Sequence, residues 1–100
     1  MISIRQLLAK HLSMCTMAQE ICKQRGLEYS TISANTLKSF NIAAELRHKK
    51  ASDICLSMIC VKAARLEAQI ELGKIPDDTF LDLINYIVYL KILLEEEKLG

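Results

Sequence analysis

The sequence predicts an all-α protein, a bundle of four helices in one domain over residues 1–100. Three Gly, one Pro and a 5% aromatic content argue against a β-sandwich or barrel, which needs frequent turns. A hydrophobic share of 51% excludes intrinsic disorder. The net charge of +1 gives no strong field toward nucleic acid or acidic membranes, so we expect neither DNA, RNA nor membrane as a partner.

The first helix is predicted over residues 3–25. Ser3 and Gln6 have the spacing of a capping box at its start. Gly26 is predicted to end it, because glycine adopts a positive φ without strain. Between these ends, apolar residues recur at the spacing of one helical face: Ile4, Leu7, Leu8, Leu12, Cys15, Ala18, Ile21 and Cys22.

The second helix is predicted over residues 35–47. Asn35 is its expected cap, and Leu37, Phe40 and Ala44 share one face. The basic run 47–50 closes it, as cations near a helix C-terminus should.

Two longer helices follow, over residues 53–72 and 77–98. The third is expected to begin at a Ser52–Asp53 cap and to end at Gly73. The fourth opens at Pro76, which is tolerated in a first turn, and two aspartates follow where the helix dipole favours them.

The four cysteines predict packing rather than bridges. Arg5, Lys10 and His11 interrupt the apolar core that a secretory signal would need, so we expect reduced, buried thiols in a cytoplasmic protein. The longest apolar stretch, residues 80–90, is interrupted by Asp82 and Asn85 and is too short to cross a bilayer.

The fourth helix carries a polar stripe on an otherwise apolar wheel. At about 100° per residue, Asp78, Asp82, Asn85 and Tyr89 lie together, with Tyr86 beside them. Such a stripe either faces water or lines a cleft between helices. Its carboxylates, amide and phenols favour the cleft, since a solvated face usually carries Lys and Glu.

The third helix has a matching basic seam formed by Lys62, Arg65 and Gln69. These long side chains either reach past the apolar face to water or face the acidic stripe of the fourth helix. In the second case the two seams would bind an anionic ligand, with or without a divalent cation. The chain contains neither a P-loop nor a G-x-G-x-x-G motif to hold phosphates.

Three elements in order resemble a phage-associated family, the nucleotide-modification-associated domains, which are related in pattern to the all-α MazG-like nucleotide pyrophosphatases. The first is K-x-x-G-x-E-Y-S at residues 23–30, and the second is L-K-S-F-N-I-A-A-E-L at residues 37–46. The third is D-L-I-N-Y-I-V-Y-L at residues 82–90. The resemblance covers about residues 23–95 and implies a MazG-like bundle and a nucleotide ligand. It also implies a place in the host cytoplasm if a phage encodes the chain.

The sequence departs from this pattern where the family has acids. Residues 31–35 contain none, and the E-x-x-E and E-x-x-D pairs that hold magnesium in MazG-like enzymes are missing. Asp78 and Asp82 are the residues we expect to hold magnesium, if that ion is bound. The expected ligand-binding residues, from the two seams and from the resemblance together, are Glu28, Tyr29, Ser30, Lys62, Arg65, Asp82, Asn85, Tyr86 and Tyr89.

Three functions remain open at this point. The missing acids favour a protein that binds or sequesters a nucleotide or cyclic-nucleotide signal without turnover. The alternatives are a magnesium-dependent nucleoside triphosphate pyrophosphohydrolase and a helical protein-interaction module. All three predict a homo-oligomer, because a chain of this size cannot bury the apolar sides of its fourth helix alone.

Overall fold

The chain folds into four α-helices. The computed structural model describes the backbone of residues 1–28 and 36–99, and the side chains of 1–25 and 37–99. Over these residues it contains no strand, which confirms the all-α prediction. The helices are α1 (Ile4–Glu28), α2 (Thr36–Arg47), α3 (Ala51–Glu71) and α4 (Asp77–Leu99).

The start of α1 has the predicted capping box. The Ser3 backbone N–H donates to Gln6 Oε1 at 2.8 Å, and the Gln6 N–H donates to Ser3 Oγ at 3.1 Å. The predicted end at Gly26 is wrong, since α1 continues to Glu28. Helical hydrogen bonds on both sides outweigh the modest preference of a single glycine for other conformations.

Gly73 follows the end of α3, as the sequence predicts. Gly73 has a φ of 77°, its N–H donates to Ile70 O at 2.9 Å, and the Lys74 N–H donates to Gln69 O at 3.0 Å. This is the Schellman motif, which satisfies carbonyl groups at the end of a helix. The start of α3 differs from the prediction: Lys50 is its N-cap, and Ser52 lies inside the first turn.

The helices α3 and α4 form an antiparallel hairpin. Ser52 meets Glu97 near the open end, Lys62 meets Asp82 midway, and Gln69 meets Thr79 near the turn. The helix α2 packs on this hairpin and completes a core that combines residues from all three helices: Phe40, Ala44, Ala51, Cys55, Tyr89 and Leu93.

The C-terminal half of α1 packs on α4. Ala18 is 1% exposed, and Cys22 lies against the core. Among the cysteines, Cys55 is buried as predicted, but Cys60 is exposed because it lies on the outer side of α3. None of the described helices is long and apolar enough to span a bilayer.

Candidate functional site

The centre of the candidate site is the Asp82 carboxylate on α4, which two cations from different helices approach. Lys62 Nζ of α3 lies 3.1 Å from Asp82 Oδ2, and Arg25 of α1 places a guanidinium nitrogen 3.0 Å from Asp82 Oδ1. The side chains of Lys62 and Asp82 are only 12% and 16% exposed, whereas that of Arg25 is 38% exposed. Three helices therefore meet at one charged group.

The α3–α4 hairpin explains why Lys62 and Asp82 meet. Lys62 lies nine residues before the end of α3 and Asp82 five residues after the start of α4, so Asp82 is about one turn nearer to the connection. The long lysine side chain spans this offset to reach the carboxylate. The basic seam of α3 thus faces the acidic stripe of α4 at this position. The pair is partly buried, so solvent screens it less than an exposed surface pair.

Tyr86 forms the apolar side of this charged group. Lys62 Nζ lies 4.9 Å from the centroid of its ring, within the range of a cation–π contact. The same ring packs edge-on against Phe40 and Tyr89, with both centroids 5.7 Å away. Lys62 is therefore held between an aromatic ring and a carboxylate.

A pocket of about 420 Å³ opens beside the charged group, between α1 and α4. Its volume falls in the range of small-molecule sites, about 300–1,000 Å³. It is open to solvent, and Asp78, the first residue of the predicted stripe, is exposed at its edge. The lining residues are Ile21, Gln24, Arg25, Asp78 and Asp82.

The rest of the stripe does not line a cleft, which corrects part of the prediction. Asn85 is 5% exposed, and its Nδ2 donates to the Ala18 carbonyl oxygen at 2.9 Å. Tyr89 is 6% exposed, and its hydroxyl donates to Cys22 Sγ at 3.2 Å. Both polar groups are used to join α4 to α1, because α1 packs directly over them.

The remaining predicted ligand residues have different positions. Arg65 is exposed on α3, one turn from Lys62, and the described contacts of the site do not include it. Gln69 accepts a hydrogen bond from Thr79 at 2.9 Å. Tyr29 and Ser30 lie outside the described residues, as does the side chain of Glu28.

Arg25 is the site residue that the sequence analysis missed. A signal for it exists, because Arg25 follows Ala18 and Cys22 on one face of α1 at i+7 and i+3. That face packs on α4, so a basic residue at its end lies near the acidic stripe of α4.

Within the described part of the chain, no group of three or more His, Cys, Asp or Glu is arranged to hold a metal ion. Asp78 and Asp82 are the two carboxylates that border the pocket. Two protein carboxylates with water and phosphate oxygens can satisfy the octahedral preference of Mg²⁺. Asp82 is bound to two cations, so a metal ion would compete with both.

Comparison with protein-family models, curated proteins and solved structures gives no match to this chain. A functional proposal for it therefore depends on its own residues.

Proposed function

We propose that this chain binds a small phosphate-bearing molecule of the nucleotide class, without turnover, as a homo-oligomer with a MazG-like bundle. One observation carries the proposal: Arg25 and Lys62 converge on one carboxylate beside an open pocket of ligand size. The resemblance of residues 23–46 and 82–90 to the nucleotide-modification-associated domains supports the nucleotide class.

The placing of the two cations suits an anion. Arg25 and Lys62 both lie against the Asp82 carboxylate, and with Asp78 at the edge of the pocket the four charges balance. Arginine binds phosphate oxygens through two parallel N–H groups, and lysine acts as a point charge. We expect a phosphate group to take the place of the Asp82 carboxylate on these two side chains.

The tyrosine nearest to the site offers limited stacking. Tyr86 is partly buried, with Lys62 near its ring and two aromatic neighbours. Tyr29 stays a predicted stacking residue from the resemblance. The proposal therefore depends on phosphate recognition and leaves the base unspecified, whether the ligand is a nucleoside triphosphate or a cyclic dinucleotide.

Isothermal calorimetry against nucleoside triphosphates and cyclic dinucleotides, with and without Mg²⁺, tests the proposal. We expect binding that does not require Mg²⁺, followed by chromatography that recovers the ligand unchanged. Recovery of a monophosphate and pyrophosphate only with Mg²⁺ would instead identify the pyrophosphohydrolase. Absence of binding across this panel would contradict the proposal.

Substitutions at the charged group sharpen this test. Lys62→Met and Arg25→Met should each weaken binding about tenfold or more, the usual loss for one charge-assisted hydrogen bond. Lys23→Met is the matched control, because Lys23 is exposed two residues from Arg25 on α1. Arg65→Met measures whether the remaining cation of the predicted seam contributes.

Asp82→Asn distinguishes metal-free phosphate binding from binding that depends on Mg²⁺. If phosphate replaces the carboxylate on Arg25 and Lys62, removing the charge of Asp82 should tighten metal-free binding. If Mg²⁺ joins Asp82 to phosphate, the same variant should lose Mg²⁺-dependent binding and any hydrolysis. Circular dichroism of each variant establishes that the helices remain.

A further inference from the structure

The N-terminal half of α1 lies outside the bundle. Every residue from Met1 to Met14 is exposed, although residues 4–14 form three turns of regular helix. We call residues 4–14 the α1 overhang. Its apolar side chains recur at the spacing of one helical face and are largely open to solvent: Ile4 at 70%, Leu7 at 49%, Leu8 at 61% and Leu12 at 68%.

A helix of this kind is poorly stabilised in water. Helices shorter than about 12–15 residues are marginal without tertiary packing, and protein helices gain most of their stability from a buried apolar face. The overhang presents such a face, but its own chain leaves about half or more of the surface of these four side chains exposed. Its apolar pattern therefore indicates a surface that something covers.

A second open apolar surface adjoins the overhang. A groove of about 470 Å³ lies between α1 and α4 and is lined by residues that include Met14, Cys15, Phe80 and Ile84. Along α4 it continues into exposed Ile87 and Val88, and Leu94 follows two turns later. We call the residues Phe80, Ile84, Ile87, Val88 and Leu94 the outer α4 face.

The chain as a whole exposes more surface than a compact monomer. Its accessible area is 7826 Å². A folded monomer of 11.3 kDa is expected to expose about 5,700 Å². The radius of gyration is 15.5 Å, against about 13 Å for a compact domain of 100 residues.

That excess is larger than a standard dimer interface and falls in the range of obligate homodimers. It amounts to about 2,100 Å² per chain, or about 4,200 Å² for two chains, against about 1,600 Å² in total for a standard interface and about 2,000–5,000 Å² for an obligate one. Obligate homodimers bury more and have apolar interfaces that resemble a divided domain core. The overhang and the outer α4 face have the apolar composition of such an interface.

The charges of the two surfaces indicate how two copies would be oriented. Residues 1–19 contain Arg5 and Lys10 and no acidic residue. The end of α4 carries three consecutive glutamates at 95–97, of which Glu97 binds Ser52 and Glu95 lies 3.5 Å from Lys91, while Glu96 is exposed and enters neither contact. A basic overhang and an acidic helix end attract each other when they belong to different copies.

We infer that the outer α4 face is the binding surface for the α1 overhang of a second copy of this chain, in a reciprocal two-fold dimer. In an isologous interface each copy offers the same patch, so both overhangs and both faces are covered at once. The inference specifies the assembly part of the proposed function and does not depend on which ligand the chain binds.

Sedimentation or light scattering of the ligand-free full chain tests the inference. We expect a dimer at micromolar concentration. Leu8→Glu on the overhang and Val88→Glu on the outer α4 face should each weaken dimerisation roughly 30-fold or more, as loss of a central interface residue does. Leu56→Glu is the matched control, since Leu56 is a half-exposed helical residue on α3, outside both surfaces.

A mixture of the Leu8→Glu and Val88→Glu chains tests reciprocity. The Val88→Glu chain keeps an intact overhang and the Leu8→Glu chain keeps an intact outer α4 face. A mixed dimer therefore has one unaltered contact, and the mixture should dimerise more tightly than either variant alone. A dimer that Leu8→Glu breaks and Val88→Glu leaves intact would assign the contact to paired α1 helices and overturn the inference.

Two other results would also overturn it. A wild-type chain that stays monomeric at 100 µM would show that a second copy does not cover the overhang. A monomer that co-sediments with anionic lipid vesicles through Leu8 would identify a membrane surface as the occupant. Failure of nucleotide binding, by contrast, leaves this result unchanged, because the assembly is measured without ligand.

Discussion

The Glu97 carboxylate near the end of α4 accepts two hydrogen bonds from Ser52 in the first turn of α3. The Ser52 backbone N–H donates to Oε1 at 2.9 Å, and its hydroxyl donates to Oε2 at 2.7 Å. The N-cap residue Lys50 makes no side-chain capping bond. A residue 45 positions away therefore satisfies the unpaired N–H that a local cap would normally bind, and it places a negative charge at the positive end of α3.

Replacing Glu97 with glutamine should lower the free energy of unfolding by about 1 kcal/mol, the usual loss of a helix cap. Chemical denaturation at pH 7 measures it. Glu96→Gln is the matched control, because Glu96 is the exposed neighbour of Glu97. Equal stability of the two variants would contradict a capping role for Glu97.

The Ser52–Glu97 contact also predicts a pH dependence. The hydrogen bonds from Ser52 hold the pKa of Glu97 below its ordinary value, and Lys50 adds to the effect. A carboxyl with a lowered folded pKa stabilises the fold above its unfolded pKa, about 4.3, and this contribution is lost as the pH falls through the folded value. The stability difference between the wild type and Glu97→Gln should therefore shrink as the pH is lowered below about 4. A difference that stays constant to pH 3 would contradict it.

Asn85 should contribute to stability through α1. Asn85→Ala removes a buried hydrogen bond to the Ala18 carbonyl and should cost about 1–3 kcal/mol. Asn85→Asp should cost more at pH 7, because a carboxylate would face a carbonyl oxygen. Asn41→Ala is the matched control: Asn41 Nδ2 donates to the Leu37 carbonyl oxygen at 3.1 Å, but in an exposed position. If both alanine variants lose the same small amount in thermal denaturation, Asn85 does not hold α1 in place.

Two turns with positive φ should respond in opposite directions to substitution. His48 closes α2 with a φ of 55°, and Gly73 closes α3 with a φ of 77°. His48→Gly should raise the free energy of unfolding by about 1 kcal/mol, because glycine adopts this conformation without a steric penalty. Gly73→Ala should lower it by a similar amount, although no atom lies within 4 Å of the added Cβ. Urea unfolding compares the two, and a loss of stability in His48→Gly would contradict the assignment.

Local sequence signals predicted the features that form within one turn of helix. The capping box of Ser3 and the Schellman turn at Gly73 depend on residues that are neighbours in the chain. The meeting of Lys62 and Asp82 was also predictable, since two long helices joined by a short connection form an antiparallel hairpin. The helical period gives each residue its face, and the hairpin brings the two faces together.

The features that the sequence analysis did not predict depend on contacts between segments far apart in the chain. The spacing of Ser52 resembles a cap, but nothing near it in the sequence indicates that Glu97 binds it. Asn85 and Tyr89 share a face with Asp82, yet the position of α1 decides that they are buried while Asp82 borders a pocket. The helical period shows which face of its own helix a residue occupies, but it does not show which other helix covers that face.

The four cysteines should react with a thiol reagent in an order that the fold determines. Cys60 is exposed and should react first under native conditions, whereas Cys55 is completely buried and its pKa is raised by that burial. The thiolate is the reactive form, so Cys55 is protected both by enclosure and by its protonation state. Titration with a chromogenic disulfide, with the modified residues located by mass spectrometry, measures the order. Cys60→Ser should remove the fast phase, and Cys55 should react only as fast as the chain unfolds. Modification of Cys55 in the fast phase would contradict its buried position in the core.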